Sequence, residues 1–220
     1  MFRKNCWYVA AWDHEVTHTP LARTLLCEPV VLYRQEDGTA VALEDRCCHR
    51  ALPLSMGKVV GDLLQCGYHG LEFDQSGACV KIPGQSQIPS EAAVKSYPLV
   101  ERWKWVWIWM GDPALADESM IPNWWWFEHP DWELVKGKYL KLDCNYELIT
   151  DNLLDLSHLA YVHLNTLGTD DISEFPIKTD REENLVRMTR WIIDRPAPPM
   201  FQALGDFKGT VDRWQIVETF

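Results

Sequence analysis

The chain has 220 residues, 47% of them hydrophobic, which is material for one large or two modest globular domains. Thirty-two acidic against twenty-one basic residues leave a net charge of −11, a balance that repels phosphate backbones and anionic membrane surfaces and argues against nucleic-acid binding. No apolar run approaches the roughly 18 residues that cross a bilayer, no secretory leader opens the chain, and seven scattered cysteines do not make a disulfide framework, so a soluble, cytoplasmic protein is expected.

Taken in order, the first hundred residues read as short strands: Trp7–Ala11, Thr24–Leu26, Val30–Arg34, Ala40–Glu44, Leu63–Cys66, Leu71–Phe73 and Cys79–Ile82. Gly38, Gly61, Gly77 and Gly84 punctuate them as turns. From Trp103 to Met110 tryptophans alternate with Lys104, Val106, Ile108 and Met110, the period of a strand apolar on both faces. Gly111-Asp112-Pro113 ends it, and the Pro- and Trp-bearing connection that follows marks a domain boundary, with 1–118 all-β and 119–220 mixed. The second part is predicted to open with strands at Glu133–Val135 and Lys138–Asp143 and to turn helical at Tyr146. Strands of an antiparallel sheet follow at Thr189–Ile193 and Asp212–Val217, giving an α+β class overall.

The chemistry concentrates between Asp45 and Asp74. Cys47 stands two positions before His49, sixteen residues intervene, and Cys66 stands three positions before His69. A lone Cys is usually a small apolar filler, and a lone His is commonplace. Two pairs, each followed by turn residues, instead offer two thiolates and two imidazoles from two loop tips. Structural zinc also takes two cysteines and two histidines, so ligand identity alone leaves a zinc-stabilised binding module open. The spacing matches the Rieske pattern, in which one iron of a [2Fe–2S] cluster takes the thiolates and the other the imidazoles. Two ferric ions, two sulfides and two thiolates sum to zero charge, which eases reduction. Rieske potentials run from about −150 to +300 mV, against about −400 mV for plant-type ferredoxins. Cys48, beside the first thiol, is expected to point away from the cluster.

Between Thr150 and His163, Asp151, Asp155 and His158 fall on one helical face, with Asn152 beside them. A solvated polar face would account for that much. His163 changes the reading, because five residues past His158 it lies about 140° around an ideal helix. Both imidazoles reach one metal only where the helix ends or bulges between them.

Asn152, Asp155, His158 and His163 reproduce the Asn-x2-Asp-x2-His-x4-His pattern of Rieske oxygenases. With KNCWYVAA at Lys4, QCGYHGLEFD at Gln65, WIWMGDPALAD at Trp107 and DCNYELITDNLLDLSHLAYVH at Asp143, the whole chain resembles the oxygenase components of the vanillate O-demethylase family. The resemblance implies an N-terminal all-β Rieske domain over 1–118 and, over 119–220, an incomplete helix-grip domain of antiparallel sheet plus helix. It implies a [2Fe–2S] cluster on Cys47, His49, Cys66 and His69. It implies mononuclear Fe(II) on His158 and His163, in a two-histidine, one-carboxylate set with open positions. Asp155 and Asn152 are the implied catalytic residues, Asp155 taking the electron from His69 of a neighbouring subunit. The implied partners are a flavin and iron–sulfur reductase fed by NAD(P)H, O2, a methoxylated aromatic acid such as vanillate, and two further copies in a homotrimer. The carboxylate that completes the iron site in relatives is expected beyond Phe220. Asp170, Asp171, Asp180, Asp206 and Asp212 are available, but none sits at its place, so no third ligand is assigned. On this reading the chain is truncated and inactive by itself. Two alternatives stay open: a Rieske-type electron carrier without oxygen chemistry, and a related monooxygenase acting on another aromatic acid or an aryl sulfonate.

Overall fold

The computed structural model describes residues 2–182, 185–205 and 207–219 and divides into two units, one up to Lys138 and one from Tyr139. The first holds strands β1 (Cys6–Trp12), β2 (Leu21–Leu25), β3 (Glu28–Arg34), β4 (Ala40–Glu44), β5 (Lys58–Val60), β6 (Leu63–Gln65), β7 (Glu72–Phe73), β8 (Cys79–Lys81), β9 (Leu99–Arg102) and β10 (Trp105–Met110). They pair antiparallel in three sheets, ordered β1-β10-β9, β2-β3-β4 and β5-β6-β7-β8.

Strand β3 explains the plan of this unit. Val30, Val31, Leu32 and Tyr33 are all fully buried, because β3 has a core on each face. Side chains of a strand alternate, so Val31 and Tyr33 pack with Cys47, Leu64, Cys66 and Phe73, while Val30 and Leu32 pack with Ala10, Val106 and Ile108. The two thiols therefore stand in a hydrophobic core that begins on β3.

Two expected strand limits move because of tight turns. Trp103 and Lys104 take positive φ of 59° and 64°, and Leu26 and Cys27 take 49° and 66°. A two-residue hairpin turn whose residues both have positive φ matches the twist of the flanking strands. The run expected as one strand from Trp103 is thus a turn followed by β10, and the strand expected at Thr24–Leu26 stops at Leu25.

The segment after β10 packs back on the first unit. Trp124 lies 5.4 Å from Trp107 between ring centroids, Trp103 Nε1 donates to Pro122 O at 2.9 Å, and Lys136 Nζ donates to Asp13 Oδ1 at 2.8 Å. These contacts carry the division of the chain to Lys138/Tyr139, beyond the expected 118/119. The strands expected at Glu133–Val135 and Lys138–Asp143 do not form. A strand needs an edge to pair with; among the described residues none is offered there, and Val135 and Leu140 are 81% and 77% exposed.

The second unit contains α1 (Tyr146–Leu154), α2 (Leu159–Val162), β11 (Ile177–Glu182), β12 (Leu185–Pro196), α3 (Pro199–Gly205) and β13 (Thr210–Thr219). β12 is the middle strand of an antiparallel β11-β12-β13 sheet. It contains the expected Thr189–Ile193 strand, and β13 contains Asp212–Val217. The core of this unit gathers Leu159, Ala160, Ile172 and Ile192. The architecture is α+β, an all-β unit followed by helix plus antiparallel sheet, as expected. No helix among the described residues is long and apolar enough to cross a membrane.

Candidate metal centres

Two loops of the first unit share one construction. Cys47 N donates to Leu52 O at 2.9 Å and Ala51 N to Cys47 O at 2.9 Å; Cys66 N donates to Leu71 O at 2.8 Å and Gly70 N to Cys66 O at 3.1 Å. The fourth residue after each cysteine is left-handed, with φ of 56° at Ala51 and 73° at Gly70. Each loop buries its cysteine, 3% exposed in both cases, and leaves its histidine outside. The rings of His49 and His69 face each other edge to face with centroids 4.7 Å apart, and Tyr68 lies against His69 at 3.9 Å.

The surroundings hold both loops in place. Asp45 is buried and accepts from Ser55 N and Ser55 Oγ, each at 2.6 Å, bracing the first loop. Behind the second, Glu72 is buried and accepts from Gln65 Nε2 at 2.7 Å and Lys81 Nζ at 2.8 Å. The Lys81 ammonium, more than anything else, keeps the Glu72 carboxyl below the usual range. Burial pushes the Cys47 thiol up to about 11, and the Cys66 thiol beside it adds to the rise. Neighbouring buried thiols ionise only against compensating metal charge. Sulfur inside and imidazole outside is the donor set of a two-iron cluster whose irons differ in ligands, so these four residues fit it. Cys48 is exposed, unlike Cys47.

The second pair of histidines lies where a helix is interrupted. α1 starts at Asn145, whose side chain caps Glu147 N at 3.1 Å, and it ends because Asp155 leaves helical geometry at φ −107°, ψ 90°. The Asp155 carboxylate then caps the next turn, accepting from Ser157 N at 2.9 Å, and that turn runs into α2. His163 closes α2 with φ −118°, so the helix ends between the two histidines and their rings face each other at 5.4 Å. After it the chain folds tightly back: His163 O accepts from Thr166, Leu167 and Gly168 N, and a Cβ on Gly168 would meet Leu159 O at 1.9 Å.

His158 Nδ1 lies 2.8 Å from Asp155 O. A carbonyl only accepts, so Nδ1 carries the hydrogen and Nε2 keeps its lone pair for a metal. That bond and the facing rings fit a mononuclear metal held by two imidazoles. The Asp155 carboxyl is exposed and sits below the usual range, first through Ser157 N–H, with the Arg190 charge adding. Arg190, on β12, donates through Nη2 to Ser157 Oγ at 2.8 Å. Asn152 is exposed on α1, and among the described residues no hydrogen bond joins it to either histidine. No three His, Cys, Asp or Glu side chains gather around one ion among the described residues. Asp171 bonds Thr169 Oγ1 and pairs with Arg195, Asp180 pairs with Lys178, and Asp212 accepts from Asp194 N. Asp206 lies outside the described residues. The sequence assigns none of these hydrogen-bonding roles to Asp45, Ser55, Ser157 or Arg190, because they appear only once separate segments meet.

The cysteine and histidine loops on three antiparallel sheets define a Rieske iron–sulfur protein. Residues 6–98 match the Rieske [2Fe-2S] domain and residues 142–220 the vanillate O-demethylase oxygenase C-terminal domain. The chain thus carries a Rieske domain, the kind defined by a [2Fe–2S] cluster, followed by a vanillate O-demethylase oxygenase C-terminal domain. It is 49% identical over 99% of its length to the toluene-4-sulfonate monooxygenase system iron–sulfur subunit of Comamonas testosteroni, of which it spans 64%. It is 40% identical over 98% of its length to the vanillate O-demethylase oxygenase subunit of a Pseudomonas species, of which it spans 62%. The crystal structure of dicamba monooxygenase bound to 3,6-dichlorosalicylic acid superposes with a TM-score of 0.92 at 42% identity, over 99% of this chain and 64% of that one. The same enzyme with non-heme iron and dicamba matches at a TM-score of 0.82 and 39% identity, over 99% of this chain and 62% of that one. The chain thus spans less than two thirds of the relatives it matches.

Proposed function

We propose that this chain is the oxygenase component of a two-component Rieske monooxygenase that removes the methyl group from a methoxylated, vanillate-like aromatic acid. The observation that carries the reading is the pairing of two matching loops, thiols inward and imidazoles outward, with a separate histidine pair on a broken helix. Cys47, His49, Cys66 and His69 hold the cluster, and His158 and His163 hold the iron. When bound, the cluster supplies electrons singly and the iron activates O2, so that the ether methyl is hydroxylated and the resulting hemiacetal collapses to phenol and formaldehyde. With two electrons and two protons, the second oxygen atom leaves as water. The protein's own part is positional. Asp155 holds His158 in one tautomer, and its exposed carboxylate accepts the hydrogen-bonding edge of His69 from a neighbouring copy in a trimer, with Asn152 beside that route. A flavin and iron–sulfur reductase using NAD(P)H supplies the electrons.

A second reading has a specific support. Identity is 49% to a subunit of a toluene-4-sulfonate system and 40% to a vanillate demethylase subunit, so an aryl sulfonate competes with the methoxylated acid as substrate. Both are flat aromatic anions.

The test begins with the visible and electron paramagnetic resonance spectra of the purified protein. Cys66→Ser is expected to abolish the cluster signal and Cys48→Ser to keep it; equal loss from both would sink the ligand assignment. An electron carrier would bind two irons per chain, with nothing further lost in His158→Ala. The proposed oxygenase takes up an additional Fe(II) that His158→Ala removes.

A further inference from the structure

We infer that Arg190 is a positioning residue of the two-histidine centre, acting through Ser157 to fix the turn that presents His158. The inference rests on the reading of His158 and His163 as iron ligands.

Arg190 occupies a place that the sheet assigns to an apolar side chain. On β12, Met188, Arg190 and Ile192 alternate onto one face and are 4%, 2% and 0% exposed. Met188 and Ile192 are what a buried strand face calls for; a guanidinium between them is not. Its Nε and Nη1 are sealed from solvent and have no hydrogen-bond partner among the described residues, so the sheet itself does not satisfy it. A group this poorly accommodated by its own strand is explained by what it reaches. Its Nη2 donates to Ser157 Oγ at 2.8 Å. Ser157 N donates to Asp155 Oδ1 at 2.9 Å, and Asp155 O takes the His158 Nδ1 hydrogen at 2.8 Å. Three hydrogen bonds therefore run from a rigid central strand to the imidazole, across the point where α1 breaks and the chain is least constrained by helix geometry. The turn has its local cap in Asp155, but among the described residues only Arg190 ties that turn to the sheet through a charged, buried donor.

The role separates cleanly from a structural one. Replacing a buried, half-satisfied charge by an apolar side chain of similar length is commonly neutral or stabilising for the fold. Arg190→Met should therefore leave the metal-free unfolding midpoint unchanged or raised, while Co(II) affinity, titrated anaerobically through its visible absorption, falls at least tenfold. Ser157→Ala should weaken Co(II) in the same way, and the double variant should be no weaker than either single one, because both cut the same link. Arg190→Lys, which keeps a donor for Ser157 Oγ, should recover part of the affinity. Wild-type Co(II) affinity in Arg190→Met would overturn the inference. So would a weakened affinity that comes with a lowered midpoint and adds to the effect of Ser157→Ala. If Arg190→Met does not accumulate as folded protein, Ser157→Ala decides alone: wild-type affinity there overturns the inference. Failure of the underlying reading looks different, since His158→Ala would then bind Co(II) as tightly as the wild type.

Discussion

Ala51 and Gly70 hold equivalent places in the loops that carry Cys47 and Cys66 and meet the same backbone demand with different side chains. Each must be left-handed so that its N–H can return to the carbonyl of its cysteine. Glycine adopts that conformation freely, whereas an L-residue is strained there by about 1–2 kcal/mol. Ala51→Gly is expected to stabilise the protein by up to about 1 kcal/mol, strain relief being partly offset by added chain entropy. Gly70→Ala should cost about 1–2 kcal/mol, since its Cβ would also press on Pro83 Cγ at 3.2 Å. Denaturant midpoints of the cluster-loaded protein, at equal m-values, measure both. Opposite signs are the expected result; destabilisation of similar size by both changes would mean that the loops are not equivalent. The two Cys–His pairs proposed for the cluster stood out in the sequence because each pair is local and its spacing survives without knowledge of the fold. Ser157 and Arg190 were not, because they are 33 residues apart and a serine in a leucine-rich helix carries no signal of its own.

At the scale of elements, alternation located the strands, and turn chemistry decided where the reading went astray. Leu26-Cys27 and Trp103-Lys104 turn with positive φ at both positions yet contain none of the Gly, Asn or Asp that normally announces such turns. In the 133–143 segment β-forming residues found no edge, which shows strand propensity to be a statement about packing partners. A helix opening at Tyr146 was legible, and so was the need for helical geometry to end before His163, but Asp151, Asp155 and His158 do not share one helical face as expected, because the chain breaks at Asp155 through a side-chain cap that periodicity does not reveal. One contact joins elements strongly enough to be seen by titration. Glu28, opening β3, receives Lys4 from ahead of β1, and Lys95 Nζ at 3.0 Å and Tyr97 Oη at 2.9 Å from ahead of β9. Burial works against its charge, but these three donors outweigh burial and bring its pKa from 4.5 to about 2. A carboxyl depressed in the folded state contributes stability that is complete above its unfolded pKa and is lost as pH falls towards the folded one. Stability should therefore decline between pH 4.5 and about 2, and Glu28→Gln should flatten that part of the curve while lowering stability at neutral pH. An identical acid limb in the variant would show that the hub contributes nothing to folding.

On the scale of the whole molecule, the two units are unequal in what holds them. Among the described residues, the first has two buried clusters, of 12 and 10 residues, and the second has one of four. The second also leaves large apolar side chains in water, including Trp191 and Trp214, tilted against each other across β12 and β13 at 54% and 57% exposure, and Leu204 at 78%. Apolar burial is the main driving force of folding, so the second unit should melt first. Heating is expected to give two steps: loss of the α1–α2 and β11–β13 signals, then, at higher temperature, bleaching of the cluster. The same asymmetry bears on the proposed turnover. The four residues proposed to hold the cluster all lie in the well-packed unit, so reductase and NADH should reduce it. The histidine pair has no third His, Cys, Asp or Glu joined to it among the described residues. Two neutral imidazoles compensate Fe(II) charge less well than two imidazoles and a carboxylate, and hold it less firmly. With reductase, NADH, O2 and vanillate, this 220-residue chain is expected to show cluster reduction without substrate-dependent formaldehyde. A single melting step with simultaneous bleaching would refute the unequal-units argument. Formaldehyde at the rate of a full-length relative would show that a carboxylate within this chain completes the site, and aspartate-to-asparagine changes would then identify it.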